Sequence, residues 1–195
     1  MNMLVGGIAL FFGVHMLPIL SGTRAKLREA VGAGAYKGLF TLASAVGLAL
    51  IVLGYGAARL GDNPQIWDPP AGLRHLAMLL MLPVFIFLIA AYFPGRIKAR
   101  LKHPMLIAVK TWALAHLLVN GDMASGLLFG SFLIWAIVDR ISLKRRATGT
   151  STAATVASAG TASNRNDAIA IVGGLAIYGG IVFWGHEFLA GVPII

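Results

Sequence analysis

Cysteine is absent from this 195-residue chain, and charged residues make up only 12% of it. The absence of cysteine excludes disulfides, thiolate metal sites, iron–sulfur clusters, a catalytic cysteine and the covalent attachment of a c-type haem. Only seven residues are Asp or Glu, so a hydrolase built on paired carboxylates has little support. A soluble domain carries about 25% charged residues, roughly twice the fraction found here. With 58% apolar residues, the composition indicates a protein whose solvent is a lipid bilayer.

Long apolar stretches dominate the chain. A helix that crosses a bilayer needs about 20 mostly apolar residues. The stretches that approach this length are Met3–Leu20, Tyr36–Gly56, Leu73–Phe93, Pro104–Val119, Ala124–Val138 and Ala168–Leu189. The sequence therefore predicts an all-α fold, an integral membrane bundle of about six transmembrane helices that forms a single domain over residues 1–195.

Residues 147–166 separate the last two predicted spans and are small, polar and almost uncharged. Such a segment cannot bury enough surface to offset the entropy lost on ordering. We expect it to be a flexible cytoplasmic loop.

Basic residues gather in alternate loops, four in the first loop, four in the third and five in the fifth. They are Arg24, Lys26, Arg28, Lys37, Arg96, Lys98, Arg100, Lys102, Arg140, Lys144, Arg145, Arg146 and Arg165. The opposite side has only Arg59 and Arg74. Because basic loops stay in the cytoplasm, both termini are expected outside. The net charge of +9 thus indicates contact with anionic membrane lipids, and no nucleic-acid partner is expected.

Histidine is the most informative residue type, because an ionisable side chain inside a span is costly and is a functional candidate by default. The histidines are His15, His75, His103, His116 and His186. The spans place His75, His116 and His186 within one or two turns of the outer boundary, where three imidazoles could bind a metal or haem. The alternative is that each imidazole hydrogen-bonds a neighbouring helix. Trp112 and Asn120 lie one turn before and one turn after His116 on the same helical face.

The string HPMLIAVKTWALAHLLVNGD, from His103 to Asp122, resembles the signature of the NnrU family, as do FFGVHMLP, AYKGLF and IVLGYGAARL nearer the N-terminus. The resemblance runs from about residue 4 to Arg146, with a weaker tail through the last span. It implies a multi-pass protein of the bacterial inner membrane, associated with nitrite and nitric oxide reduction (denitrification). The same family includes the plastid 15-cis-zeta-carotene isomerase, an integral membrane enzyme that uses haem b.

The resemblance further implies haem b as the cofactor, held by two axial histidines at positions that match His15 and His116. The isomerase has a cysteine three residues before the second histidine, proposed as an alternative ligand. This chain has Ala113 there, which puts such ligand switching in doubt.

Span depth points to a different histidine pair. At 1.5 Å of rise per residue, His15 should lie deeper towards the cytoplasm than His116, and depth would instead pair His116 with His75 or His186. We follow the resemblance, with His15 and His116 as iron ligands and His75 as the substitute. Trp112 and Asn120 are the expected neighbours of the cofactor.

The function expected from the resemblance is haem-dependent isomerase or redox chemistry on an apolar, polyene-like substrate, linked to nitrogen-oxide reduction. Whether the protein is itself an enzyme stays open. The alternative is a non-catalytic assembly or accessory factor that contacts components of respiratory nitrogen-oxide reductases. A small metal or haem transporter is a third possibility with less support.

Overall fold

The computed structural model describes residues 1–149, 163–192 and 194, and this part of the chain is helical without a strand. The α-helices are α1 (Asn2–Met16), α2 (Ser21–Val31), α3 (Ala33–Leu60), α4 (Leu73–Tyr92), α5 (Arg96–Leu101), α6 (Pro104–Val119), α7 (Met123–Gly149), α8 (Asn164–Gly180) and α9 (His186–Ala190). A π-helical turn, Ile181–Gly185, joins α8 to α9. The predicted all-α class is confirmed for these residues.

The chain divides into two compact units. The first comprises Met1–Asp68 and Gly121–Ser131, and the second comprises Pro69–Asn120 and Phe132–Ile195.

The first unit is built on an antiparallel contact between α1 and α3 at three glycines. A methyl group on Gly7 would lie 2.6 Å from the backbone nitrogen of Ile51, and one on Gly47 would lie 2.8 Å from that of Phe11. At Gly54 the methyl group would meet the backbone of Leu4. The two backbones approach so closely that only glycine fits, as is common where membrane helices pack.

The helix α1 ends earlier than the sequence predicts. The predicted span continues to Leu20, whereas the structure ends α1 at Met16. Leu17 still has helical backbone, with φ −58° and ψ −43°, but Pro18 has no backbone N–H and so cannot donate the next hydrogen bond of the helix. The next helix, α2, turns away from α1 by 89°. It ends at Gly32, whose φ of 83° is readily adopted only by glycine.

In the second unit, α4 packs against both α6 and α8. A methyl group on Gly174 of α8 would lie 2.6 Å from the backbone nitrogen of Ile86 in α4. Nearer the other end of α8, the Tyr178 hydroxyl donates a hydrogen bond to the carbonyl of Met78 at 3.0 Å. The carboxylate of Asp167, near the start of α8, accepts a hydrogen bond at 2.9 Å from the backbone N–H of Arg96, the first residue of α5.

Within the described ranges, four helical segments are long and apolar enough to cross a bilayer, and the bent pair α1–α2 would add a fifth if the pair forms one span. The helix α6 has the predicted bounds but only 16 residues. Aliphatic side chains in these helices point outward, with Val52 63%, Leu79 66% and Val172 68% exposed. An apolar exterior is what contact with lipid requires. Membrane-helix character is thus supported, while the count of six spans stays a prediction.

Two predicted boundaries around the fifth loop differ from the structure. The helix α7 does not stop at Val138 but continues through Gly149, and α8 already begins at Asn164. Both ends of the predicted loop at 147–166 are therefore helical. Its remainder, residues 150–162, lies outside the described residues.

Candidate functional site

His116 lies half-buried in the last turn of α6. Its Nδ1 donates a hydrogen bond to the backbone carbonyl of Trp112, one turn earlier, at 2.8 Å. A carbonyl oxygen can only accept, so Nδ1 carries a proton, and in the neutral imidazole the lone pair is then on Nε2. The Trp112 indole lies against the imidazole, with ring centroids 5.3 Å apart. Asn120 Nδ2 donates to the His116 carbonyl oxygen at 2.8 Å. These contacts determine both the tautomer and the orientation of His116.

His15, in the last turn of α1, repeats this arrangement within the first unit. Its Nδ1 donates to the carbonyl of Phe11, again one turn earlier, at 2.7 Å. The imidazole stacks on the Phe11 ring at a centroid distance of 4.1 Å and lies 5.2 Å from the ring of Phe40 in α3. This contact again places a proton on Nδ1 and leaves Nε2 as the nitrogen that could bind a metal.

His186 follows the π-helical turn and begins α9. Its Nδ1 donates to the carbonyl of Val192 at 2.7 Å. His186 is close enough to His116, in the same unit, for the two imidazoles to interact electrostatically. Two of the three histidines predicted for the outer layer, His116 and His186, thus lie within electrostatic range of each other in the second unit.

The third member of that layer, His75, is exposed near the start of α4. Over residues 1–149 and 163–192, no three His, Asp or Glu side chains form a group that could hold a metal ion. The three-histidine metal site considered from the sequence is therefore not assembled in the described part of the chain. Haem is a separate case, because its iron takes only two axial protein ligands.

His103 lies outside the spans, at the residue before α6 begins. Burial lowers the pKa of His103, and the positive charge of Arg140 lowers it further, against an opposing effect of Asp139. The imidazole is therefore neutral at physiological pH, although it stands among basic residues.

The first unit also contains a polar cluster, which we term the Asp122 clasp. It consists of Asp122, Asn63, Ser125 and Tyr55. Asp122 Oδ1 accepts from Asn63 Nδ2 at 2.8 Å and from the backbone N–H of Ser125 at 2.9 Å. Its other oxygen accepts from the Ser125 hydroxyl at 2.7 Å. The fully buried Ser125 hydroxyl also lies 2.9 Å from the hydroxyl of Tyr55 in α3.

The clasp joins the α3–α4 connection to the start of α7. Asn63 Oδ1 accepts a hydrogen bond from the backbone N–H of Ala124 at 2.9 Å. The Asn63 side-chain amide is therefore both a donor, to Asp122, and an acceptor, from Ala124. The carbonyl of Gly121 accepts from the N–H of Ile66 at 2.7 Å. Burial alone would raise the pKa of Asp122, but the hydrogen bonds from Asn63 and Ser125 outweigh it, and the pKa lies below its ordinary value. Asp122 is therefore ionised and serves as the N-cap of α7.

The string from His103 to Asp122 thus forms the half-buried helix that carries His116, together with the clasp residue that follows it. Compared with known families, the chain matches the one described as NnrU protein over residues 3–194. It belongs to the NnrU family. The predicted family is confirmed, and it extends over the last helices of this NnrU protein, where the sequence resemblance is weaker. No curated protein and no solved structure matches the chain.

Sequence reasoning missed the Asp122 clasp in this NnrU protein. Asp122 and Ser125 have the spacing of an N-cap and the third helical residue, which was the available local signal. Asn63 lies 59 residues earlier in the chain, and no local pattern links it to Asp122. By contrast, Trp112 and Asn120 both contact His116, as their helical spacing indicated.

Proposed function

We propose that this NnrU-family protein binds haem b, with His116 and His15 as the axial ligands of the iron. The observation that carries the proposal is the tautomer common to both imidazoles. Each donates its Nδ1 proton to the carbonyl one turn earlier, at 2.8 Å from His116 and 2.7 Å from His15. Histidines that ligate metals almost always donate the other ring N–H in this way.

The surroundings of both imidazoles fit an apolar macrocycle. In the second unit, Trp112 adjoins His116 and Phe132 packs against Trp112, and in the first unit Phe11 and Phe40 adjoin His15. That these two histidines act as a pair rests on the family resemblance. When bound, haem would supply a redox-active iron whose properties depend on its axial ligands and on the polarity around it.

We further infer that the chain lies in the bacterial inner membrane with six spans and both termini in the periplasm. The positive-inside rule supports this orientation, because 13 of the 16 Lys and Arg residues belong to alternate segments on one side. The activity proposed is isomerase or redox chemistry on an apolar substrate, linked to nitrogen-oxide reduction through the family.

The decisive experiment is the visible spectrum of detergent-purified protein, as isolated and after reduction, from cells supplied with haem. We expect a Soret band and sharp reduced α and β bands, and we expect both His116→Ala and His15→Ala to abolish them. His103→Ala is the matched control, because this histidine lies outside the spans and should leave the spectrum unchanged.

Two further variants identify the ligand pair. If His75→Ala or His186→Ala removes the low-spin bands while His15→Ala keeps them, haem is bound but the assignment of His15 is wrong. A flat visible spectrum in haem-replete cells would overturn the proposal. A non-catalytic assembly factor for nitrogen-oxide reductases would then be the better description.

A further inference from the structure

The helix α2 stands apart from the apolar elements around it. All of its residues, Ser21–Val31, are exposed, and Arg24, Lys26 and Arg28 outnumber its one acidic residue, Glu29. Its two large apolar side chains, Leu27 and Val31, are exposed as well.

The direction of α2 follows from the bend that precedes it. The helix α1 runs along α3, and α2 departs from α1 at 89°. If α3 crosses the membrane, as its length and apolar composition allow, α1 runs along it close to the membrane normal, and α2 then runs close to the membrane plane.

The depth of α2 follows from its neighbours. His15, at the end of α1, has its ring 5.2 Å from the ring of Phe40 in α3. Lys37, the first charged residue of α3, stands three residues before Phe40, which is about 4.5 Å along the helix axis at 1.5 Å per residue. The helix α2 therefore begins close to the level at which α3 leaves the hydrocarbon.

The sequence of α2 is arranged for a lipid surface. Leu27 and Val31 lie one turn apart on the same helical face, in line with Leu20 just before the helix, and all three are exposed, at 37%, 45% and 51% respectively. At 100° per residue, Arg24 and Arg28 both lie along one side of this apolar strip, while Glu29 points away from it.

We propose that α2 is an interfacial helix that binds anionic phospholipid. The strip formed by Leu20, Leu27 and Val31 enters the boundary between headgroups and acyl chains, and Arg24 and Arg28 contact lipid phosphates. Basic amphipathic helices bind membranes in this manner, through buried apolar area together with attraction to anionic lipids. The proposal does not depend on haem binding.

The absence of cysteine makes a direct test possible, since a single introduced cysteine is the only site that a thiol-reactive probe can label. The full-length protein with Leu27→Cys carries an environment-sensitive fluorophore in nanodiscs of phosphatidylcholine with 30% phosphatidylglycerol. Ala25→Cys is the matched control on the opposite helical face. We expect the probe at 27 to be blue-shifted and quenched by spin-labelled lipid, and the probe at 25 to be quenched by aqueous iodide.

Charge recognition is tested by adding Arg24→Gln and Arg28→Gln to the Leu27→Cys protein. Each basic residue contributes about 1 kcal/mol to membrane binding. Removing two should therefore change the equilibrium between lipid-buried and water-exposed probe by approximately thirtyfold, towards water, in anionic nanodiscs. Arg100→Gln with Lys102→Gln, in another basic segment, should produce no shift.

Equal iodide quenching at positions 25 and 27 in anionic nanodiscs would overturn the proposal and favour a protein partner or a second copy of the chain on this face. A probe at 27 that is equally lipid-buried in nanodiscs of phosphatidylcholine alone, and insensitive to the arginine substitutions, would overturn the recognition of anionic lipid.

Discussion

At the scale of single residues, backbone carbonyl oxygens determine what the histidines can do. The carbonyls of Phe11 and Trp112 each accept from an imidazole Nδ1, at 2.7 and 2.8 Å, and so fix a proton on Nδ1 of His15 and His116 and leave Nε2 as the nitrogen that could bind a metal. The acceptor belongs to the main chain, so a change of the Phe11 or Trp112 side chain does not remove it. The aromatic side chains contribute packing around the imidazoles instead.

Trp112→Phe should therefore preserve haem binding, because the carbonyl at position 112 remains and the ring still packs against His116. We expect the haem-to-protein ratio to be unchanged and the reduced α band to shift by a few nanometres at most. The pyridine haemochrome assay and the reduced spectrum measure both quantities. Loss of haem from Trp112→Phe would mean that the indole itself is required.

Asp122 provides a prediction on pH dependence. Its pKa in the folded protein lies below the ordinary value, in spite of burial, because Asn63 and Ser125 hydrogen-bond to the carboxylate. The carboxylate therefore stabilises the fold above the pKa of the unfolded chain, and this contribution is lost as the pH falls through the lower pKa of the folded state.

Asp122→Asn should lower the free energy of unfolding at pH 7 by about 1 kcal/mol, because the amide can still cap α7 but lacks the charge that strengthens the hydrogen bonds from Asn63 and Ser125. The difference from the unmodified protein should shrink as the pH is lowered from 5 to 3. Thermal unfolding in detergent, followed by circular dichroism, measures both effects. Asp62→Asn, in an exposed position of the same connection, is the control. A difference that grows towards low pH would contradict the assignment.

At the scale of elements, glycines govern how α1 and α3 pack. Gly47 and Gly54 face the backbone of α1, whereas Gly56, in the same helix, has nothing within 4 Å of the position a methyl group would take. Gly47 and Gly54 are therefore required because a side chain would collide with α1, whereas Gly56 could be replaced by a residue with a side chain.

Gly54→Ala should destabilise the protein by about 1–3 kcal/mol, as overpacking does in well-packed interiors. Gly56→Ala should be neutral or stabilise it by up to about 1 kcal/mol, because alanine is the better helix former. Unfolding by sodium dodecyl sulfate titration, followed by circular dichroism, compares the two. Equal effects of the two substitutions would exclude a close backbone contact at Gly54.

The elements also show what the sequence could predict. The bounds of α6, Pro104–Val119, are as predicted because proline starts the helix and the Asn-Gly-Asp string ends it. The helix α7 extends beyond its predicted end because apolar content marks the span, whereas Arg and Lys continue a helix well. The π-helical turn at Ile181–Gly185 and the partnership of Asn63 with Asp122 depend on tertiary contacts, and no local pattern encodes either of them.

At the scale of the whole molecule, charge distribution is the main determinant of orientation. The basic residues on α2, on α5 and around the end of α7 all belong to segments expected in the cytoplasm. The connection between α3 and α4 is expected outside, and so is the Asp122 clasp.

Single cysteines in intact spheroplasts test this orientation. Gln65→Cys, in the exposed α3–α4 connection, should react with a membrane-impermeant maleimide added from outside. Ala99→Cys, exposed in α5, should react only after permeabilisation. The reverse pattern would invert the topology, and with it the leaflet in which α2 meets lipid.

The contact at Gly54 also has a genetic consequence. A methyl group there meets backbone atoms of Leu4 and Met3, which every residue type carries, whereas one on Gly173 meets only the terminal carbon of Ile89. A defect caused by Gly173→Ala should thus be suppressible by Ile89→Val, which removes that carbon. No side-chain substitution in α1 removes the atoms that Gly54→Ala meets, so a selection for revertants should return glycine at position 54 and no suppressor in α1.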